Sequence, residues 1–128
     1  LGIQKSVFLR PSVQDTIEIL SVMDIFVMPS LKEGLGLALM EAMACGLAVI
    51  GSDIGGIKSL IRDGYNGLLV KPSDSAGLAL RISALLKDPK KAELLGNNAR
   101  DFISRNFPQE KTIVETEKVY LECLKEKY

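Results

Sequence analysis

The residues able to do chemistry gather in one segment, Glu33-Gly34-Leu35-Gly36-Leu37-Ala38-Leu39-Met40-Glu41, with its two carboxylates eight positions apart. Glycines 34 and 36 let a backbone come close to a ligand. The first N–H groups of a helix starting after Gly36 point outward without intrahelical partners. Such an end is an anion site, suited to a pyrophosphate. Glu41 is the unusual residue. Leu37, Ala38, Leu39, Met40, Ala42, Met43, Ala44 and Cys45 surround it, so the helix is apolar on nearly every side and is expected to be buried. A buried carboxylate needs donors, because leaving it unpaired is costly. No Lys or Arg stands at helical spacing to supply them. Ligand hydroxyls would serve; a narrow solvent-facing stripe is the other reading. Glu33 has a simpler explanation available, since an acidic residue just before a helix favours its dipole. Taken alone, Gly-x-Gly before a helix is weak evidence of a ligand.

A strand must lead into this segment and a sheet must support it. Ile25-Phe26-Val27-Met28 is predicted as that strand, ended by Pro29 and Ser30. Leu37 to Cys45 forms the helix, closed by Gly46, and Leu47-Ala48-Val49-Ile50 follows as a strand. Upstream, Val7-Phe8-Leu9 reads as a strand, and Ile17, Leu20 and Ser21 follow Val13 at helical spacing. Downstream, a short helix near Gly56 to Arg62 leads to the strand Gly67-Leu68-Leu69-Val70. These strands are apolar on both faces, as in a parallel sheet covered by helices on each side. Short connections imply right-handed βαβ units, with the segment at the carboxyl ends of the strands, where open α/β sheets bind ligands. The last third reads as helix. Ser73 or Asp74 caps one whose Leu78, Ile82, Leu85 and Leu86 share a face. Asp88-Pro89 starts another, with Leu95, Ala99, Phe102 and Ile103 inward, and Pro108 opens a final one with Ile113, Tyr120 and Leu124 in a stripe. The expected fold class is α/β: a mostly parallel, partial Rossmann-like sheet of about four strands, with helices on both faces and a helical final third.

Composition narrows the function. A chain of 128 residues is one domain or part of one. Sixteen basic and sixteen acidic side chains cancel, which argues against binding nucleic acid. The chain has no His, so the commonest general base and zinc ligand are missing from it. Cys45 and Cys123 form no Cys-x-x-Cys pattern and read as free thiols of a reducing, cytoplasmic compartment. The opening Leu-Gly-Ile-Gln-Lys lacks the basic start and apolar run that would mark a signal peptide, so none is expected there. Gly34 to Gly51 imitates a membrane span, with Glu41 as the only charge in eighteen residues. It is short for a span, carries glycines and changes character midway, so a buried helix running into a buried strand fits better.

Together the motifs resemble a family. Pro29-Ser30, then Glu33-Gly34-Leu35-Gly36-Leu37, then Glu41 is similar to the signature of glycosyltransferase family 4, retaining nucleotide-sugar-dependent enzymes of the GT-B fold. The resemblance continues through Glu41-Ala42-Met43-Ala44-Cys45-Gly46, Ala48-Val49-Ile50, Gly55-Gly56, Asp63-Gly64, Asn66-Gly67-Leu68-Leu69-Val70, Pro72, Asp74, Asn98-Ala99-Arg100 and Phe107. It implies that Glu41 binds the ribose of the nucleotide. Glu33, with Gly34, would face the donor sugar as the catalytic candidate. Backbone N–H groups of Leu35, Gly36 and Leu37 would hold the diphosphate. Both carboxylates should then face one cleft. The implied reaction is glycosyl transfer with retention, with no metal and no cofactor beyond the nucleotide-sugar donor.

The chain departs from the family pattern in three places. Lys58-Ser59 stands where the family carries Pro-Glu, and a solvated surface position is the plainer reading of Lys58. Arg10-Pro11 stands where the first strand usually ends in Gly, which bears on the base-binding loop. The resemblance also covers only the last four βα units of the family's carboxyl-terminal domain. Its first two strands and the acceptor-binding amino-terminal domain lie outside it, so that half is expected in cis or in trans, and with it any peripheral membrane association. A split transferase and a truncated binding module without turnover are the alternative readings. Without those two strands, Val7-Phe8-Leu9 cannot keep its family position and still touch the sheet, and the Ile25–Met28 strand keeps an open edge. The first strand could relocate to cover that edge, two copies could pair or swap strands, or the chain could aggregate; pairing between copies, as a homodimer, is the expected outcome.

Overall fold

The computed structural model describes residues 2–13 and 15–125. Three parallel strands lie in the order β1 (Ile25–Met28), β2 (Ala48–Ser52), β3 (Leu68–Val70). Ile25 pairs with Ala48 and Met28 with Gly51, and then Ile50 pairs with Leu68 and Ser52 with Val70. Helices α1 (Thr16–Leu20), α2 (Leu37–Ala44) and α3 (Gly55–Leu60) precede or connect the strands, and α4 (Ser75–Lys87), α5 (Pro89–Asn106) and α6 (Gln109–Lys125) follow them. β2 is buried along its whole length, because it is the central strand and carries helices on both faces.

Two apolar clusters flank the sheet. On one face Val49 packs with Leu39 and Met43 of α2, Ile57 and Leu60 of α3, and Leu20 of α1. On the other, Ala48 and Ile50 pack with Leu68, Leu85 and Leu95. Alternation along β2 explains the division, since successive side chains point to opposite faces. α5 contributes to both clusters, Ala99 to the first and Leu95 to the second. It passes the turn before β2 so closely that a Cβ on Gly96 would meet the carbonyl of Gly46. Arg100 Nη2 donates to the Cys45 carbonyl across this contact, at 2.8 Å.

The helix starts follow the caps. Asp15 Oδ1 accepts from the backbone N–H groups of Ile17 and Glu18, Asp74 Oδ1 from that of Gly77, and Asp88 Oδ1 from that of Lys91. Each carboxylate satisfies a helical N–H that has no intrahelical partner. The turn before β3 is held by Asn66, fully buried, whose Oδ1 accepts from Arg62 N at 2.7 Å while its Nδ2 donates to Leu60 O at 3.0 Å.

The sheet has three strands rather than four. Val7-Phe8-Leu9 is irregular and outside the sheet, with Phe8 80% and Leu9 92% exposed. Three apolar residues form a strand only against a neighbour that completes their ladder, and none among the described residues pairs with them. The inward face expected of α4 loses Leu86, which is exposed, while Leu78, Ile82 and Leu85 hold their places. Ile113, Tyr120 and Leu124 of α6 are exposed too. The apolar stretch Gly34–Gly51 is α2, a turn and most of β2. Among the described residues no helix is long and apolar enough to cross a membrane.

Candidate functional site

β1 ends at Met28, and the chain reaches Glu33 within five residues, so the strand delivers this loop to the carboxyl edge of the sheet. Glu33 is half-buried, and its Oε1 accepts from the N–H of Gly34 at 3.1 Å. Gly36 caps α2 in the left-handed conformation, φ 71° and ψ 51°, with no side-chain acceptor for the helix. No acidic residue occupies the first turn of α2 either. The positive end of this helix is thus left to whatever approaches it. Leu35 and Leu37 beside it are exposed. A Cβ on Gly34 would meet nothing within 4 Å, so glycine at this position keeps open space beside the helix start.

Gly56, in the first turn of α3, shapes the loop from below. A Cβ there would run into the Gly34 carbonyl and lie 2.8 Å from the Glu33 carbonyl. The start of α3 therefore seats directly on the backbone that carries Glu33. Gly55-Gly56 counted toward the family resemblance, but the contact itself spans distant segments and only the packed structure shows it.

Glu41 is not buried. Leu37, Ala38, Glu41 and Ala44 form one exposed stripe along α2, while Leu39, Ala42 and Met43 turn inward. The helix is buried on one side only, and the solvent-facing stripe is the reading that holds, because α1 reaches Ala38 and Glu41 without covering them. Glu41 lines a small pocket of about 180 Å³ together with Val13, Thr16, Ile19, Leu20, Phe26 and Ala38. Glu33 does not line it, although both carboxylates lie on the α2–α3 side of the sheet. The residues around Glu41 from positions 13 to 20 had no signal in the sequence, since they reach it only through the packing of α1. Lys58 lies exposed and pairs with Asp53 at 3.0 Å, as its surface reading anticipates.

Residues 1–102 match the family model described as glycosyl transferases group 1. The chain belongs to this family. It is 37% identical over 114 residues to the N-acetyl-alpha-D-glucosaminyl L-malate synthase of Bacillus anthracis, a match covering 88% of this chain and 30% of that protein. Among solved structures, sucrose-phosphate synthase from Thermosynechococcus elongatus superimposes with a TM-score of 0.80 at 36% identity, over 83% of this chain and 27% of that one. Anabaena HepE, solved in complex with UDP-glucose, gives a TM-score of 0.73 at 29% identity, over 80% of this chain and 29% of its own. The group 1 chain is thus a partial GT-B α/β domain, and it spans a third or less of the first relatives it matches.

Proposed function

We propose that this chain is the donor-binding portion of a retaining glycosyltransferase, which moves a sugar from a nucleoside-diphosphate sugar to an acceptor. The observation that carries the reading is the uncapped, glycine-led start of α2, with one carboxylate before it and another one turn inside it. The N–H groups around Leu35, Gly36 and Leu37 would hold the diphosphate, where the helix end stabilises negative charge. Glu41 would accept hydrogen bonds from the ribose hydroxyls. Its exposure suits that role, because the carboxylate is open to a ligand rather than already spent on the protein. Glu33 would touch the hydroxyls of the donor sugar and is the catalytic candidate in that sense.

As the anomeric carbon–oxygen bond breaks, its electron pair leaves with the diphosphate and positive charge builds on the sugar. The acceptor hydroxyl then bonds to the same face of the anomeric carbon and passes its proton to an oxygen of the departing diphosphate, which gives retention. Charge on the leaving diphosphate would be met by the start of α2 without a metal. The acceptor site belongs to a segment supplied in cis or by a separate polypeptide.

Calorimetry with free nucleoside diphosphates tests these roles. Glu41→Ala is expected to weaken binding by about 1–3 kcal/mol, the scale of hydrogen bonds to a charged group. Glu33→Ala is expected to leave it nearly unchanged, because its partner is the sugar. Equal losses in the two variants would mean that the roles are wrongly assigned.

A further inference from the structure

A second crevice opens at the same end of the sheet, on the face away from Glu33 and Glu41. It has a volume of about 330 Å³, and every strand contributes to its walls: Pro29 follows β1, Ser52 ends β2 and Val70 ends β3. Ser52 is the residue that needs explaining. Ala48 and Ile50 precede it on the same face of β2, both buried in apolar packing, and Ser52 is itself only 2% exposed. Its hydroxyl takes part in none of the side-chain hydrogen bonds among the described residues. Yet among those residues no sealed side-chain oxygen or nitrogen lacks a partner. The sliver of Ser52 that remains accessible therefore includes its oxygen, and Ser52 lines the crevice.

The rest of the lining shows what could occupy it. Ser73 and Ser75 are exposed beside Lys71, while Leu31, Val70 and Leu78 supply apolar surface. Lys71 has no carboxylate partner among the described residues, but Asp74, whose Oδ1 caps α4, also lines the crevice, so charges of both signs stand at its wall. An anion gains little there. A neutral molecule with an apolar face and many hydroxyls matches both kinds of wall. We propose that this crevice is a second ligand site, separate from the diphosphate site, that takes a sugar ring with its C–H face on the apolar wall and a hydroxyl on Ser52. Pro29 and Leu31 of its wall belong to the loop that carries Glu33, so an occupant would bear on that loop.

The test is a titration of the chain with the methyl glycosides of glucose, galactose and N-acetylglucosamine, followed through its amide NMR spectrum. At least one glycoside should shift the amides of Ser52, Lys71, Ser73 and Ser75 and leave those of Leu37–Glu41 in place. Ser52→Ala and, separately, Ser75→Ala should each weaken that binding about tenfold, equivalent to about 1.4 kcal/mol. Ser59→Ala, whose hydroxyl bonds the Gly56 carbonyl outside the crevice, should not. Three results would overturn the proposal: no glycoside moves these amides, inorganic phosphate moves them instead, or UDP moves them together with Leu37–Glu41. The last would make the crevice part of the nucleotide site. The wild-type map and Ser75→Ala decide the matter even if Ser52→Ala does not fold.

Discussion

At the scale of single residues, two glycines close to Glu33, Gly56 and Gly36, support the candidate site for different reasons. Gly56 is needed for space, since a methyl group there would collide with the Gly34 carbonyl. Gly56→Ala is expected to destabilise the chain by about 1–3 kcal/mol, the usual range for overpacking, and to displace the loop that carries Glu33. Gly36 is needed for conformation, with φ at 71° and no crowding closer than 3.6 Å. Gly36→Ala should lose only the left-handed penalty of about 1–2 kcal/mol. Urea denaturation measures both losses, and calorimetry with UDP shows which variant also loses binding. Asn66→Ala makes a third case. It strips both partners from the Arg62 N–H and the Leu60 carbonyl, at an expected cost of about 1–3 kcal/mol. The places of Glu33 and Gly36 were legible in the sequence because they follow from a strand, a loop and a helix in immediate succession. The setting of Glu41 was not, because whether a helix face is covered depends on segments far away in the chain.

At the scale of elements, the caps carry the clearest expectations. Asp74→Ala and Asp88→Ala should each reduce stability by about 1 kcal/mol, since each removes the acceptor for a helical N–H. Asp53→Ala, which loses only an exposed ion pair with Lys58, should fall below about 1 kcal/mol. Urea midpoints of the three variants check the ranking, and a cap variant no weaker than Asp53→Ala would contradict it. Caps, the glycine that ends α2 and the apolar strands were readable because each is a local pattern with a local cause. Val7-Phe8-Leu9 was misread for the opposite reason. Its composition suits a strand, but a strand exists only when another supplies its hydrogen bonds, and no local pattern reports that. β1 keeps one lateral edge unpaired among the described strands.

At the scale of the whole molecule, the chain by itself is expected to show little or no sugar transfer to any added acceptor. The proposed acceptor site lies on another segment, and without it no hydroxyl is held at the anomeric carbon for the sugar to move to. A radiolabelled transfer assay with donor and acceptor panels measures this, and sustained turnover by the chain alone would contradict it. Self-association is expected as well, because Phe8, Leu9, Val22 and the Ile113–Leu124 stripe are exposed and β1 has an open edge among the described strands. Light scattering over a dilution series should show mass falling with concentration; a constant monomer would mean that these surfaces do not associate. What the sequence determined by itself was the fold class, the place of Glu33–Glu41 between a strand and a helix, and the family. Those depend on periodicity, caps and short-range motifs, which the chain carries wherever it goes. Tertiary structure alone decided that three strands form the sheet among the described residues, that Glu41 is open to solvent, that Gly56 bears on Gly34, and that the Ser52 hydroxyl has no side-chain partner among those residues. Each of these is a contact, or the lack of one, between segments far apart in the chain, and packing rather than local preference sets which segments meet.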